Sequence, residues 1–351
     1  MAGIGADHMR DADDVVLAVE DVVVDHGSSA RRRRAVNGIS LDLLRQESVG
    51  VVGESGCGKS SLAKAIMQLP PPTAGAVRLE GVDLTRQRGE ALRSSRRRIQ
   101  MIFQDPIASL NPRRRIRDIV AEGAAAWTAR GERSGLRDRV DDLLRSVGLD
   151  ADAVGDRRPR EFSGGQCQRV AIARALMLQP DVLIADEPVS ALDVSVQAQI
   201  LNLLDDLKRE FELAMIFISH DLAVIKNVSD RVVVVYAGRV CEVGDVASIF
   251  DRPAHPYTKL LLRSIPVMDT GRRHAPTGNG AAAPAAPSAD VIQRGVELVR
   301  ADETGCPFRT RCPRAVERCA VEVPEIRQVS RDHFVACHEA DVDEPAGRGP
   351  A

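Results

Sequence analysis

Four short apolar runs recur along the chain, each closed by Gly, Asp or Ser: SVGVVG, DVLIAD, AMIFIS and RVVVVYAG. Runs with no polar alternation are what strands buried on both faces of a parallel sheet require. Near the start, VVLAVEDVVV alternates apolar and polar positions instead, the period of a strand with one wet face. Stretches such as RVDDLLRSVGL and QAQILNLLDDLKREF place apolar residues three and four apart, as amphipathic helices do. Strand alternating with helix predicts an α/β core. An Arg-rich helical region, from about Ile116 to Arg160, is inserted into it. Residues 1–14 read as a loose polar leader and 15–267 as one large domain. TGNGAAAPAAPSAD, from Thr277 to Asp290, predicts a flexible linker over 268–290. Beyond it, residues 291–345 read as a small separate module.

Bulk composition narrows the picture only a little. The chain has 351 residues, with 50 acids against 48 Lys and Arg, a balance that points to no nucleic-acid partner. The start, MAGIGADHMRDADD, lacks the basic end and apolar run of a secretory signal. No apolar run approaches the roughly 20 residues that cross a bilayer. A cytoplasmic chain is therefore expected, one that works at a membrane only by docking onto another protein. Its cysteines are not expected to form structural disulfides.

The chemistry begins at SVGVVGESGCGKSS, Ser48 to Ser61. Its G-x-x-x-x-G-K-S core comprises Gly53, Glu54, Ser55, Gly56, Cys57, Gly58, Lys59 and Ser60, with Ser61 following. Glycines let consecutive backbone N–H groups turn inward onto phosphate oxygens, and the helix that starts here adds its positive end. Lys59 can reach the β- and γ-phosphates, and the Ser60 hydroxyl can take a place on Mg²⁺. In DVLIADEP, Asp186 and Glu187 stand at the C-terminal end of a buried strand, where open α/β sheets bind ligands. Asp186 suits Mg²⁺, and Glu187 suits a general base that polarises the attacking water.

EFSGGQCQRVAIARAL, Glu161 to Leu176, presents Ser163, Gly164, Gly165 and Gln166 ahead of an amphipathic helix. This is a second phosphate-facing helix start in one chain. Two cradles for one γ-phosphate make sense if two chains pair head to tail, each signature closing over the other's ATP. With these motifs the chain closely resembles the ATPase subunits of ABC transporters, over roughly Val15 to Pro266. The resemblance implies a P-loop cassette: a RecA-like core with an antiparallel β subdomain, and a helical subdomain at about 105–165. It also implies roles for other residues. Gln104, in IQMIFQDP, matches the glutamine that senses the γ-phosphate, joins the Mg²⁺ shell and faces the membrane subunit. Asp193, in VSALDVS, matches an aspartate at the dimer interface, and His220, in MIFISHD, matches the histidine that supports the attacking water. His26 stands where the family has an adenine-stacking aromatic, and Cys167 follows the signature glutamine in place of the more usual arginine, which is expected to alter contacts near the partner's nucleotide.

FQDPIASLNPR, DEPVSALDVS and HPYTKLLL further resemble the importers of dipeptides and oligopeptides, the second of their two ATPase types, with nickel importers close by. That implies a second ATPase chain as heterodimer partner, two permease subunits, an indirect binding protein and a place on the cytoplasmic membrane face. A soluble ABC ATPase acting on nucleic acid would carry two cassettes or long coiled coils, and neither is visible here.

GCPFRTRCPRAVERCAVEV places Cys306, Cys312 and Cys319 close together, with Cys337 following in FVACHEA. The intervals of five, six and seventeen residues match neither zinc ribbons nor the ferredoxin run. Four thiolates suit a 4Fe–4S cluster or Zn²⁺, the latter with help from His333 or His338, and simple unliganded thiols are the third reading. The resemblance implies the cluster. Cys57 lies inside the phosphate loop, where oxidation is expected to block ATP, and Cys241 sits in a strand-like run.

Overall fold

The computed structural model describes residues 8–10, 13–27, 33–127, 135–264 and 304–340. The expected linker lies outside them, and of the expected leader only residues 8–10, 13 and 14 lie inside. Two sheets organise the chain. A four-stranded antiparallel sheet has the order β2-β1-β4-β5, from β1 (Val15–His26), β2 (Arg33–Leu44), β4 (Ala74–Leu79) and β5 (Val82–Asp83). An eight-stranded sheet has the order β11-β12-β10-β9-β3-β8-β7-β6.

The centre of the large sheet is parallel and fully covered. It runs through β6 (Ile99–Ile102), β7 (Val182–Asp186), β8 (Ala214–Ser219), β3 (Ser48–Val52) and β9 (Arg231–Tyr236). Every residue of β3, β7, β8 and β9 is buried, the condition their unbroken apolar runs require. Alternate side chains feed two cores. Leu183, Ala185, Met215 and Phe217 enter the one shared with the helical region, whereas Val182, Ile184 and Ile216 enter the one shared with the first sheet.

Helix α1 (Lys59–Ile66) follows β3 and packs against the first sheet, while α2 (Gly89–Arg98) leads into β6. The inserted region holds α3 (Pro106–Ser109), α4 (Ile116–Ala125), α5 (Leu136–Ser146) and α6 (Ala151–Val154). Arg117 binds these together: its guanidinium donates to Asp141 at 2.7 Å and to the Ala151 carbonyl at 2.8 Å. From there α7 (Gly164–Leu176) returns to β7, and α8 (Val194–Glu210) and α9 (Leu222–Val228) flank β8. Strand β10 (Arg239–Asp245) turns back antiparallel on β9, followed by α10 (Val246–Asp251) and α11 (Pro256–Arg263).

The expectation of a separate cysteine module is not met. Strand β12 (His333–Val335) pairs antiparallel with β10, and β11 (Arg327–Ser330) pairs with β12, so this segment extends the main sheet. The β10 edge offers unpaired backbone groups, and the tail satisfies them. Phe308 and Ile326 are buried against the cassette, while Val329, Val335 and Ala340 form a small cluster with Ala254. Phe308, 1% exposed, packs edge-on to Tyr236 with centroids 5.2 Å apart and lies beside Tyr257. The join is also polar: buried Glu242 on β10 takes a contact from His333 Nε2 at 2.7 Å and accepts from the backbone of Ala254 and His255.

Candidate nucleotide-binding site

The phosphate loop connects the end of β3 to α1, and packing forces its glycines. Gly58 caps α1 with φ of 106°, and a Cβ there would stand 2.0 Å from the Ala35 carbonyl oxygen. At Gly53 a Cβ would meet the Val235 carbonyl oxygen at 2.1 Å. Neighbouring β2 and β9 thus hold the loop from behind. Buried Lys59 lies across it, its ammonium donating to the carbonyls of Gly53 at 2.7 Å and Glu54 at 3.1 Å. In front opens a cavity of about 340 Å³, lined among others by His26, Gly58, Lys59, Ser60, Gln104 and Glu187. Ser55, Gly56 and Ser61 also border it.

The acid pair meets this loop from β7. The Ser60 hydroxyl donates to Asp186 Oδ1 at 3.0 Å, which puts two hard oxygen donors side by side. Burial pushes the Asp186 carboxyl up, partly offset by that hydrogen bond. Glu187 comes next, with φ of 47°, a left-handed conformation unusual for any residue with a side chain. Its N–H donates to the Ile218 carbonyl at 2.9 Å, so β8 holds the strained residue in place. The Glu187 carboxylate receives the Gln104 amide at 3.1 Å, and His220 Nδ1 lies 3.2 Å away on the same oxygen. A carboxylate, an imidazole and an amide from three strand ends therefore converge on one point beside the phosphate loop.

Other candidate residues stand elsewhere. Ser163 is exposed and caps α7: its hydroxyl accepts from the Gln166 N–H at 3.3 Å, and the Gln166 side chain accepts from the Ser163 N–H at 3.0 Å. None of Ser163, Gly164, Gly165 or Gln166 lines the cavity. Asp193 is exposed at the start of α8, next to Val194, which is 82% exposed.

Two cysteine expectations change. Cys167 does not face outward; it is buried, with its thiol on the Pro159 carbonyl, because its place on α7 turns it into the helical core. Cys57 is also fully buried and burial pushes its thiol up, so it presents no accessible thiolate to oxidants. His26 touches Ser61 through its Nε2 at 3.1 Å, which makes the Ser61 hydroxyl a support for the ring.

Residues that the motifs did not single out hold the loop from the far side. The Tyr257 hydroxyl accepts the Glu54 N–H at 2.9 Å, and Arg311 pairs with the Glu54 carboxylate. Tyr257 lies in the phrase HPYT, whose spacing alone suggests no site. Arg311 is 257 residues from Glu54 in the chain, beyond the reach of local pattern.

In the tail, Cys306 and Cys319 are buried while Cys312 and Cys337 are half-buried. Burial pushes the Cys306 thiol up to about 11, and the nearby thiols of Cys319, Cys337 and Cys312 push the same way. Cys337 is raised likewise by burial and by Cys312 and Cys319. Among the described residues, however, no group of three or more His, Cys, Asp or Glu is placed to hold a metal ion. No described helix is long and apolar enough to cross a membrane.

Comparison with known proteins adds the family. The ABC transporter family matches residues 36–190, and the oligopeptide/dipeptide transporter C-terminal region matches residues 241–319. The oligopeptide transport ATP-binding protein AppF of Bacillus subtilis is 44% identical over 87% of this chain and 89% of its own length. OppF of Salmonella typhimurium, an oligopeptide transport ATP-binding protein, is 44% identical over 88% of each chain. Among solved structures, cbiO1 of Clostridium perfringens, part of an ABC transporter complex, superposes with a TM-score of 0.60 at 29% identity, over 68% of this chain and 92% of that one. An ATP-binding cassette solved as a dimer with ADP and Pi gives 0.60 at 28% identity, over 66% and 98%. The α/β fold of the cassette, its phosphate loop and these relatives together make this chain a member of the ABC transporter family, an ATP-hydrolysing subunit of the oligopeptide/dipeptide branch.

Proposed function

We propose that this chain powers the import of peptides by closing on ATP with a second ATPase subunit beneath two permease subunits, at the cytoplasmic face of the membrane. The observation that carries this reading is the separation of two half-sites. The cavity at Lys59 lacks the signature residues, while Ser163 stands exposed and Gly164 to Gln166 half-buried at a separate helix start. Each half is completed by the opposite half of another cassette, and a paralogous ATPase chain makes that pair a heterodimer. Asp193 and Val194, exposed at the start of α8, lie on the surface that this pairing would cover.

The geometry supports the following roles. Lys59 and the loop N–H groups hold the phosphates, and His26 offers a ring to the adenine. Glu187 takes the proton of the attacking water, with Gln104 and His220 orienting that water through the shared carboxylate. Ser60, Asp186 and Gln104 provide oxygen donors that fit Mg²⁺. Bound there, Mg²⁺ supplies charge neutralisation on the β- and γ-phosphates. Hydrolysis then releases the closed pair, and its opening resets the permease.

The cargo is assigned to peptides from the match over residues 241–319 and the peptide-transport relatives. Cells lacking this chain are expected to lose uptake of a labelled tripeptide while free amino acids and Ni²⁺ still enter. Loss of Ni²⁺ uptake with peptide uptake intact would move the chain to the nickel importers.

The four tail thiols are assigned to a 4Fe–4S cluster, with Zn²⁺ as the alternative. Support comes from the four thiols that the described tail supplies, two buried and two half-buried, with those of Cys319, Cys337 and Cys312 adding to the burial that raises Cys306. Anaerobically purified protein is expected to hold about four iron and four sulfide per chain; zinc, or no metal, would overturn the assignment.

A further inference from the structure

Arg311 sits inside the cysteine segment, directly before Cys312, yet its guanidinium grips the phosphate loop. Nη1 donates to one oxygen of Glu54 at 2.8 Å and Nη2 to the other at 2.8 Å, a two-toothed pair. Both side chains are largely enclosed, 13% and 17% exposed. The guanidinium also lies over the rings of Tyr236, 5.7 Å from its centroid, and Phe308, 5.8 Å from its centroid. Phe308 is itself part of the tail, so one short stretch supplies both the ring and the charge.

Glu54 is the second residue of the phosphate loop, and three other groups fasten it. Arg311 holds its carboxylate, the Tyr257 hydroxyl receives its N–H, and the Lys59 ammonium donates to its carbonyl. A loop that cradles a polyanion here carries a carboxylate of its own. Left unpaired in a half-enclosed place, that charge would repel the phosphates and pull the loop toward water. The fixed fork of an arginine offsets the charge and fixes the direction of the Glu54 side chain at once. The hydrogen bonds that Arg311 donates to the Glu54 carboxylate in turn hold its guanidinium well above its usual range.

We propose that Arg311 is a positioning residue for ATP: acting through Glu54, it sets the charge and shape of the phosphate loop, so that the cysteine segment contributes to the nucleotide site of its own chain. The tail is then part of the nucleotide-binding apparatus, and any change that loosens the segment around Cys306 and Cys312 reaches the loop through Arg311. This rests on the nucleotide-site assignment, which ATP binding by the unaltered chain tests on its own.

The test is a calorimetric titration of MgATP into the full-length chain. Arg311→Gln is expected to raise Kd about tenfold, or ~1.4 kcal/mol. Arg311→Lys keeps the charge without the fork and is expected to fall between that variant and the unaltered chain. The decisive variant combines Glu54→Gln with Arg311→Gln. Removing the repelling carboxylate is expected to return Kd to within about threefold of the starting value, the coupling expected of two groups in contact. A tail that only stabilises the fold would lower the melting temperature of both variants without this recovery. Unchanged Kd in Arg311→Gln, or a double variant that binds as weakly as the single one, overturns the proposal. Should Arg311→Gln not fold, Arg311→Lys alone carries the comparison, and a Kd equal to that of the unaltered chain overturns it. An unaltered chain that binds no ATP removes the site and the proposal together.

Discussion

Replacing Glu187 with Gln is expected to cut phosphate release at least a hundredfold, ~2.7 kcal/mol in barrier, while ATP still binds. Gln has the size and reach of Glu and keeps an oxygen for the Gln104 amide, so the cavity retains its shape. What it loses is the ability to take a proton. Three features make Glu187 the residue where that loss tells. It is largely buried, which strengthens its interaction with a proton in transit. Its backbone is held at φ of 47° by the hydrogen bond to Ile218, before any nucleotide arrives. Its carboxylate already bears both the Gln104 amide and His220 on one oxygen, leaving the other to face the cavity. Asp186, one residue earlier, is no substitute, because its Oδ1 is engaged by Ser60. Phosphate release by the complete transporter, compared at saturating ATP, measures the effect. A loss smaller than about tenfold would place the base elsewhere.

Replacing Lys59 with Ala is expected to weaken ATP binding by about a hundredfold, in line with hydrogen bonds from a charged donor worth about 1.5–3 kcal/mol each. The ammonium is buried at the mouth of α1, where it donates to the carbonyls of Gly53 and Glu54 and lies 3.9 Å from the Cys57 sulfur. Phosphate oxygens are stronger acceptors than carbonyls, so this group gains when ATP enters. The loss exceeds the one expected for Arg311→Gln, because Lys59 reaches the phosphates and Arg311 acts at one remove. Titration of MgATP into the full-length variant checks the size. A Kd within threefold of the starting value would mean that the loop N–H groups hold ATP unaided.

Much of this architecture is legible in the chain itself, for identifiable reasons. The unbroken runs at Val49–Val52, Val182–Ala185 and Val232–Val235 leave no wet face, and their shortness and β-branched residues favour strands covered on both sides. The phosphate loop and the acid pair are legible because each lies at the end of such a strand. Strain is not. Nothing in DVLIADEP announces that Glu187 adopts a left-handed backbone, since that conformation is imposed by β8 alongside. Orientation on a helix also fails where neighbours decide it, as at Cys167, which follows an exposed signature yet turns inward. The largest difference is the tail. Composition and four cysteines suggest a unit of its own, but Phe308 and Ile326 find their apolar partners on the cassette, and β12 completes the β10 edge. Contacts between residues as distant as Glu54 and Arg311 carry no local pattern for a sequence to display.

The most direct test is the bound nucleotide and the mass of the Glu187→Gln chain, incubated with MgATP and the proposed second ATPase subunit. Head-to-tail closure with Glu187 as base predicts a stable pair of cassettes retaining intact ATP. Separate chains, or a pair holding ADP, would contradict it.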